Sequence, residues 1–236
     1  MKQSLEKLSI RRTRLDPCNK IMKNNKSMIM KNTSHLYPNN SVFGVSGSPR
    51  INGNSDAILK QILVGVSQEN VPFEYQNLTN IQFQGCIGCE QCRKDKICTG
   101  LIDGMSIIYN NIITSKGLIL VSPTHNYNIT SWMKAFIDRL YCFYNFTNDI
   151  PRQWSSQLAD QNRKLLLAAI CEQESNEDMG FTLEAMKKPL QALGYEVVDE
   201  ISVFKIFAKG KVKEAPNAME QAREAGVQLA KAVNNS

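Results

Sequence analysis

From residue 41 onward, short apolar runs alternate with stretches whose apolar residues recur every three or four positions. SVFGVS (41–46) is one such run, ended by Gly47, and it predicts a buried strand. In SDAILKQILVGV, Ile58, Ile62 and Val66 recur at helical spacing with Leu59 and Leu63 beside them, and Asn54 or Ser55 is placed to cap the start. VPFEYQNL (71–78) alternates Val71, Phe73 and Tyr75, as a second strand would. Asp103 is placed to cap a helix carrying Met105, Ile108 and Ile112, and the strand GLILVSP (117–123) then stops at Pro123. TSWMKAFIDRLYCFY reads as a helix with Met133, Phe136, Ile137 and Leu140 on one face. Strand KLLLAAIC (164–171), helix GFTLEAMKKPLQALG (180–194), strand YEVVDEISVF (195–204) and helix NAMEQAREAGVQLAKAV (217–233) complete the series.

Five strands interleaved with five helices define an α/β protein with one doubly wound parallel sheet, helices covering both faces. The short, wholly apolar strand runs support this, because a central parallel strand is buried on both sides. No repeat or low-complexity linker interrupts residues 41–236, so one domain is expected there, after a tail at 1–40.

Charge sharpens that division. The net charge is +6, but residues 1–41 alone carry +7, leaving −1 for the rest. The domain therefore has no nucleic-acid footprint. The tail is rich in Asn and Lys with little apolar periodicity, the composition of a disordered segment. It lacks the apolar core of a secretory signal; its arginines and few acids are also those of an organelle transit peptide, and translation starting at Met28 or Met30 would remove most of it. No apolar run reaches the length of about 20 residues that a membrane helix needs. Seven cysteines, an odd number without a signal peptide, point to a reducing, cytoplasmic setting in which clustered thiols serve metal or redox chemistry.

In an open α/β sheet, ligands bind at the carboxyl ends of the strands. The first such loop is GSPRINGNS (47–55). Gly47 and Gly53 let the backbone approach a ligand, Ser48, Asn54 and Ser55 bring short polar groups, and Arg50 adds a full charge at a helix amino end. That is the composition of a phosphate cradle, although neither a Walker loop nor a GxGxxG dinucleotide loop. An ordinary polar turn with a capped helix is the plainer alternative.

GSPRINGNS after the first strand and SPTHNYNITSWMKAFIDR after the third resemble the NADPH-dependent FMN reductase family of flavodoxin-like proteins, in order and spacing over most of residues 41–205. The resemblance implies a flavodoxin-like fold, with the FMN phosphate held by Ser48, Arg50, Asn54 and Ser55. It implies that Pro123, Thr124, His125 and Asn126 lie along the isoalloxazine ring, and that Lys134, Phe136, Asp138 and Arg139 of the K-x-F-x-D-R helix are mainly structural. Two positions depart from the family pattern: His125 stands where Tyr is frequent, and CEQESNED replaces a commonly Gly-rich loop after the fourth strand. A proton donor to reduced flavin or substrate is one reading of His125, since histidine is the usual side chain for that role. With no partner carboxylate evident, a hydrogen-bonding loop residue is the preferred role.

The third loop, after the second strand, holds Cys86, Cys89, Cys92 and Cys98 at C-x2-C-x2-C-x5-C spacing. Two-residue gaps let thiolates converge on one small centre, as in bacterial iron–sulfur motifs, although those end in a three-residue gap and Pro. A zinc site, a Cys-x-x-Cys redox pair and plain structural thiols stay open on spacing alone. The segment also resembles the compact cysteine motif of iron–sulfur flavoproteins, a branch of the same family, and this implies that the four cysteines ligate a 4Fe–4S cluster. Lys94 and Lys96 would offset its negative charge, or form a solvated turn. Cys142 and Cys171 read as small buried hydrophobes, and FYNFTNDIPRQW (143–154) as a packing link, a flap over flavin, or a subunit contact.

The resemblance therefore implies an FMN-dependent oxidoreductase. It would pass electrons between FMN, a 4Fe–4S cluster and a ferredoxin-like carrier or small-molecule acceptor, in a homodimer or homotetramer. The alternatives are a cluster-free NAD(P)H-dependent reductase of flavins or quinones, and a non-enzymatic redox sensor. No catalytic acid or base stands out.

Overall fold

The structure, a computed structural model, describes residues 38–236. The basic tail up to residue 37, with Cys18, lies outside the described residues. In chain order the elements are β1 (Asn39–Ser46), α1 (Asn54–Gln68), β2 (Phe73–Asn77), α2 (Gln91–Asp95), α3 (Met105–Thr114), β3 (Ser115–Pro123) and α4 (Ser131–Arg139). There follow β4 (Tyr144–Phe146), β5 (Trp154–Ser156), β6 (Arg163–Ile170), α5 (Asn176–Met179), α6 (Thr182–Ala192), β7 (Tyr195–Val203) and α7 (Pro216–Asn234).

The main sheet has the order β2-β1-β3-β6-β7, and all four pairings are parallel. Side chains alternate between its faces, as a period of two requires. Val42, Ile119, Val121, Leu166 and Ala168 pack against α1 and α7. Phe43, Val45, Leu118, Leu120, Leu165 and Leu167 pack against α3, α4 and α6. Helices thus cover both sides, as the doubly wound reading expects. The order in which successive strands are added reverses between β1 and β3, which places the loops after both strands at a topological switch point.

α1 and α7 meet backbone to backbone. A Cβ on Gly65 would stand 1.9 Å from the Arg223 carbonyl oxygen, and one on Gly226 would stand 2.0 Å from that of Ile62. Only hydrogen at both positions allows this crossing. Arg163, fully buried at the start of β6, donates to the carbonyls of Ile112, Ile113 and Ser115 at 2.5, 2.7 and 2.8 Å, closing the carboxyl end of α3.

Three local expectations change. β1 begins at Asn39, two residues earlier than the apolar run suggests. Neither Asn54 nor Ser55 caps α1; Gly53 occupies the cap and offers no side-chain acceptor. The helix expected through 144 stops at Arg139, passes through a 3-10 turn at Leu140–Phe143, and gives way to a β4–β5 hairpin. Aromatic packing explains the hairpin. Tyr141 stacks on Phe146 at 5.1 Å, and Tyr144 meets Trp154 edge-on at 5.4 Å. Among the described residues, no helix is long and apolar enough to cross a membrane.

Candidate functional site

Two cavities lie among the loops at the carboxyl edge of the sheet. The smaller, about 120 Å³, is lined by Ser48, Arg50, Asn54, Ser55, Pro123, Thr124 and His125, together with Glu172, Ile206 and Phe207. Seven of the eight residues expected around flavin therefore share one cavity. Asn126 is outside its lining, with φ 48° in an exposed bend closed by His125–Asn128 backbone bonds.

The cradle is built from strand ends. Ser46 and Asn77 are the polar last residues of β1 and β2, and both donate to the buried Asp56 carboxylate, at 2.6 and 2.8 Å. The second Asp56 oxygen accepts the Asn52 amide at 2.6 Å, which pins the loop at a left-handed residue. Asp56 thus turns inward, away from the cavity it supports. The Thr130 hydroxyl donates to the Gly47 carbonyl at 2.6 Å and ties the first loop to the segment after β3. With Gly53 at the cap, no side chain accepts from the first-turn amides of α1, so they offer donors and partial positive charge to an anion. These features fit a phosphate group. A volume near 120 Å³ is below the usual range for whole-ligand pockets, so it suits the phosphate end of a flavin nucleotide, with the ring along the open side.

The far rim comes from the segments after β6 and β7. Glu172 puts a carboxylate into the cavity wall, where a Gly-rich loop would leave none. The rim is fixed to the third-strand loop by the Phe181 amide donating to the Tyr127 carbonyl at 2.7 Å, and by a Thr124–Thr182 hydroxyl contact at 3.1 Å. Arg50 donates to the Phe207 carbonyl at 3.0 Å and lies over its ring at 4.8 Å, while Asn54 donates to the Ala208 carbonyl at 3.0 Å. Sequence reasoning missed Asp56, Ser46, Asn77 and Phe207. The visible clue was Ser46, a polar residue ending the apolar run of β1.

The larger cavity, about 260 Å³, is lined by Cys86, Cys89, Cys92 and Cys98 with Arg139 and Tyr141. β2 pairs in parallel with β1, so the cysteine segment leaves the same sheet edge as the cradle. Two left-handed residues, Glu90 and Lys96, reverse the chain on either side of the short α2. This folds the long Cys92–Cys98 gap back on itself. The Gly88 amide donates to the Cys86 sulfur at 3.5 Å. Burial first, then the neighbouring Cys98, Cys86 and Cys89, pushes the Cys92 thiol above its ordinary pKa. Among the described residues, no group of three or more His, Cys, Asp or Glu is arranged to hold a metal ion. The four thiols thus face one cavity without forming a finished ligand set. In chemistry and number they fit a thiolate-ligated centre.

The β4–β5 hairpin packs on this segment rather than over the cradle. Arg93 donates to the Thr147 carbonyl at 3.3 Å, and Lys96 to the Asn145 side chain at 2.8 Å. Cys142 and Cys171 are buried, as read. Burial, with smaller contributions from Cys98 and Cys92, pushes the Cys142 thiol up to about 12. In the K-x-F-x-D-R helix, Phe136 is core and Lys134 pairs with Asp138 at 2.5 Å on the surface. Arg139 is buried against Asp103.

This fold and this pair of loops correspond to a known class. The chain belongs to the family described as NADPH-dependent FMN reductase, whose family profile matches residues 40–194. An iron-sulfur flavoprotein of Methanocaldococcus jannaschii is 31% identical to it over 98 residues, 42% of this chain and 50% of that protein. An iron-sulfur flavoprotein of Clostridioides difficile is 31% identical over 99 residues, 41% of this chain and 44% of that protein. The matched stretch is thus half or less of these relatives' length. An FMN-dependent NADH-azoreductase from Bacillus anthracis str. Ames Ancestor, solved in complex with FMN, shares the fold with a TM-score of 0.59 at 18% identity, covering 80% of this chain and 99% of that one.

Proposed function

We propose that the protein is an FMN-dependent oxidoreductase of the iron–sulfur flavoprotein type. Ser48, Arg50, Asn54 and Ser55 would hold the FMN phosphate, and Pro123, Thr124, His125 and Asn126 would border the ring. FMN supplies one- and two-electron chemistry when bound, and the chain supplies binding, orientation and electrostatics. Cys86, Cys89, Cys92 and Cys98 would ligate a 4Fe–4S cluster, exchanging single electrons with a ferredoxin-like carrier or a small acceptor. A homodimer or homotetramer is part of the same proposal.

The observation that carries it is four thiols lining one cavity at the sheet edge that bears the phosphate cradle. Two relatives named iron-sulfur flavoproteins add support. The test is an anaerobic absorption spectrum with iron, sulfide and FMN analysis. Flavin bands with broad cluster absorption are expected, and Cys92→Ser should remove the iron while retaining FMN. Flavin without iron after anaerobic reconstitution would overturn the cluster.

A second reading, a cluster-free NAD(P)H-dependent FMN or quinone reductase, is favoured by the lack of a ready metal-ion arrangement among the described residues. It predicts NAD(P)H oxidation with quinone by protein that never takes up iron.

A further inference from the structure

Arg139 ends α4 with its side chain 1% exposed, yet it forms part of the wall of the thiol cavity. Four of its five N–H donors have partners. Nη1 and Nη2 donate to the two Asp103 oxygens at 2.7 and 3.1 Å, Nη1 also donates to the Gln84 carbonyl at 2.9 Å, and Nε meets the Tyr109 hydroxyl at 3.2 Å. Asp103 is not among the residues lining the cavity. The cationic member of the pair therefore belongs to the cavity wall and the anionic member does not.

Arg93, Lys94 and Lys96 are the cations that the sequence puts nearest the cysteines, but Lys94 and Lys96 are exposed, Lys96 is directed to Asn145 on the hairpin, and Arg93 is paired with Glu90 and donates to the Thr147 carbonyl. Solvent screens such charges strongly, whereas a buried charge acts through a weaker dielectric. Arg139 is the cation among the residues that line the thiol cavity. Reducing a thiolate-ligated iron–sulfur centre adds negative charge to it, and its potential follows the local electrostatics. A fixed cation in the wall favours the reduced state.

Building on the cluster assignment above, we propose that Arg139 raises the reduction potential of the centre in the cysteine cavity, and that Asp103 holds Arg139 in place while partly cancelling its charge. A purely structural staple between α4 and the turns at Gln84 and Asp103 would have no such signature. The two roles differ in sign. Neutralising Asp103 leaves more net positive charge at the cavity; neutralising Arg139 leaves less.

The experiment is an anaerobic redox titration of the reconstituted holoprotein, followed by electron paramagnetic resonance, for wild type, Asp103→Asn, Arg139→Gln and Arg139→Lys. The cluster midpoint should rise in Asp103→Asn, fall in Arg139→Gln and stay near wild type in Arg139→Lys, with the FMN midpoint moving less in each. Shifts of the same sign in the two neutralised variants, or an unchanged midpoint, would overturn the proposal. If Arg139→Gln does not fold by circular dichroism, Asp103→Asn decides alone, since a lowered or unchanged midpoint there has the same force. Iron and sulfide are measured first: wild type that takes up neither overturns the cluster assignment and this proposal with it. Iron-loaded protein without the opposed shifts overturns only this proposal.

Discussion

The Cys89 sulfur rests where a side chain on Gly100 would be. A Cβ built at Gly100 would stand 2.3 Å from it, well inside contact distance. The return of the chain after Cys98 therefore depends on a residue with no side chain. Gly100→Ala should displace Cys89 and lower iron retention on reconstitution several-fold while leaving FMN content unchanged. Iron per FMN measured on the two proteins checks this, and equal ratios would refute it.

Asp103 gives the fold a defined acid response. Burial works against its carboxylate, but hydrogen bonds from Arg139, then from the Met105 and Gln84 amides, hold its pKa below the usual carboxylate range. A lowered folded pKa contributes stability that is complete above the unfolded value of about 4 and is lost as pH falls through the folded one. Urea midpoints at pH 7, 5, 4 and 3 should fall less steeply at the acid end for Asp103→Asn than for wild type. Parallel curves would count against the coupling.

Gly65→Ala should destabilise although alanine is the better helix former by about 1 kcal/mol. The added methyl meets backbone rather than a movable side chain, so α1 and α7 must separate, at a cost of about 3 kcal/mol. Chemical denaturation gives the sign directly; a stabilised variant would mean that the helices are not in contact here.

Opposite charges line the cradle, so two neutral substitutions should act in opposite directions. Arg50→Gln should weaken FMN binding and Glu172→Gln should tighten it, each by about fivefold, as for partly exposed charges worth about 1 kcal/mol. Riboflavin, which lacks the phosphate, should be nearly indifferent to both. Quenching of flavin fluorescence measures all six affinities, those of wild type included.

Thiol reactivity should divide by position. Cys86 and Cys89 are exposed, whereas Cys142 is buried with its thiol pushed up to about 12, so little of it is thiolate at neutral pH. Timed alkylation of metal-free protein, read by mass spectrometry, should label Cys86 and Cys89 first and Cys142 last. Early labelling of Cys142 would place it at the surface.

The sheet was legible because burial on both faces leaves an unbroken apolar run, as in Leu118–Val121 and Leu165–Ile170. The cradle was legible as a cluster of small polar residues and Arg50 between strand and helix. The α1 cap misled because Asn54 spends its side chain on Ala208 and Val212, contacts more than 150 residues away in the chain that no local pattern encodes. The hairpin was missed because its strands are three residues each, too short to show alternation, and rest on aromatic contacts. Arg139 gave no sign of its place at the thiols, since Asp103 lies 36 positions away and Cys98 on another loop.

β2 lies at the edge of the sheet and pairs only with β1. The segment hung from it, Leu78 to Gly104, contributes no strand to the sheet. Changing the length of such a peripheral loop costs little, about 0.6 kcal/mol per doubling. The thiol turn between Gln84 and Asp103 is in this sense a variable insert: descent could lengthen or shorten it while Leu78 stays in the core and Gln84 and Asp103 keep hold of Arg139.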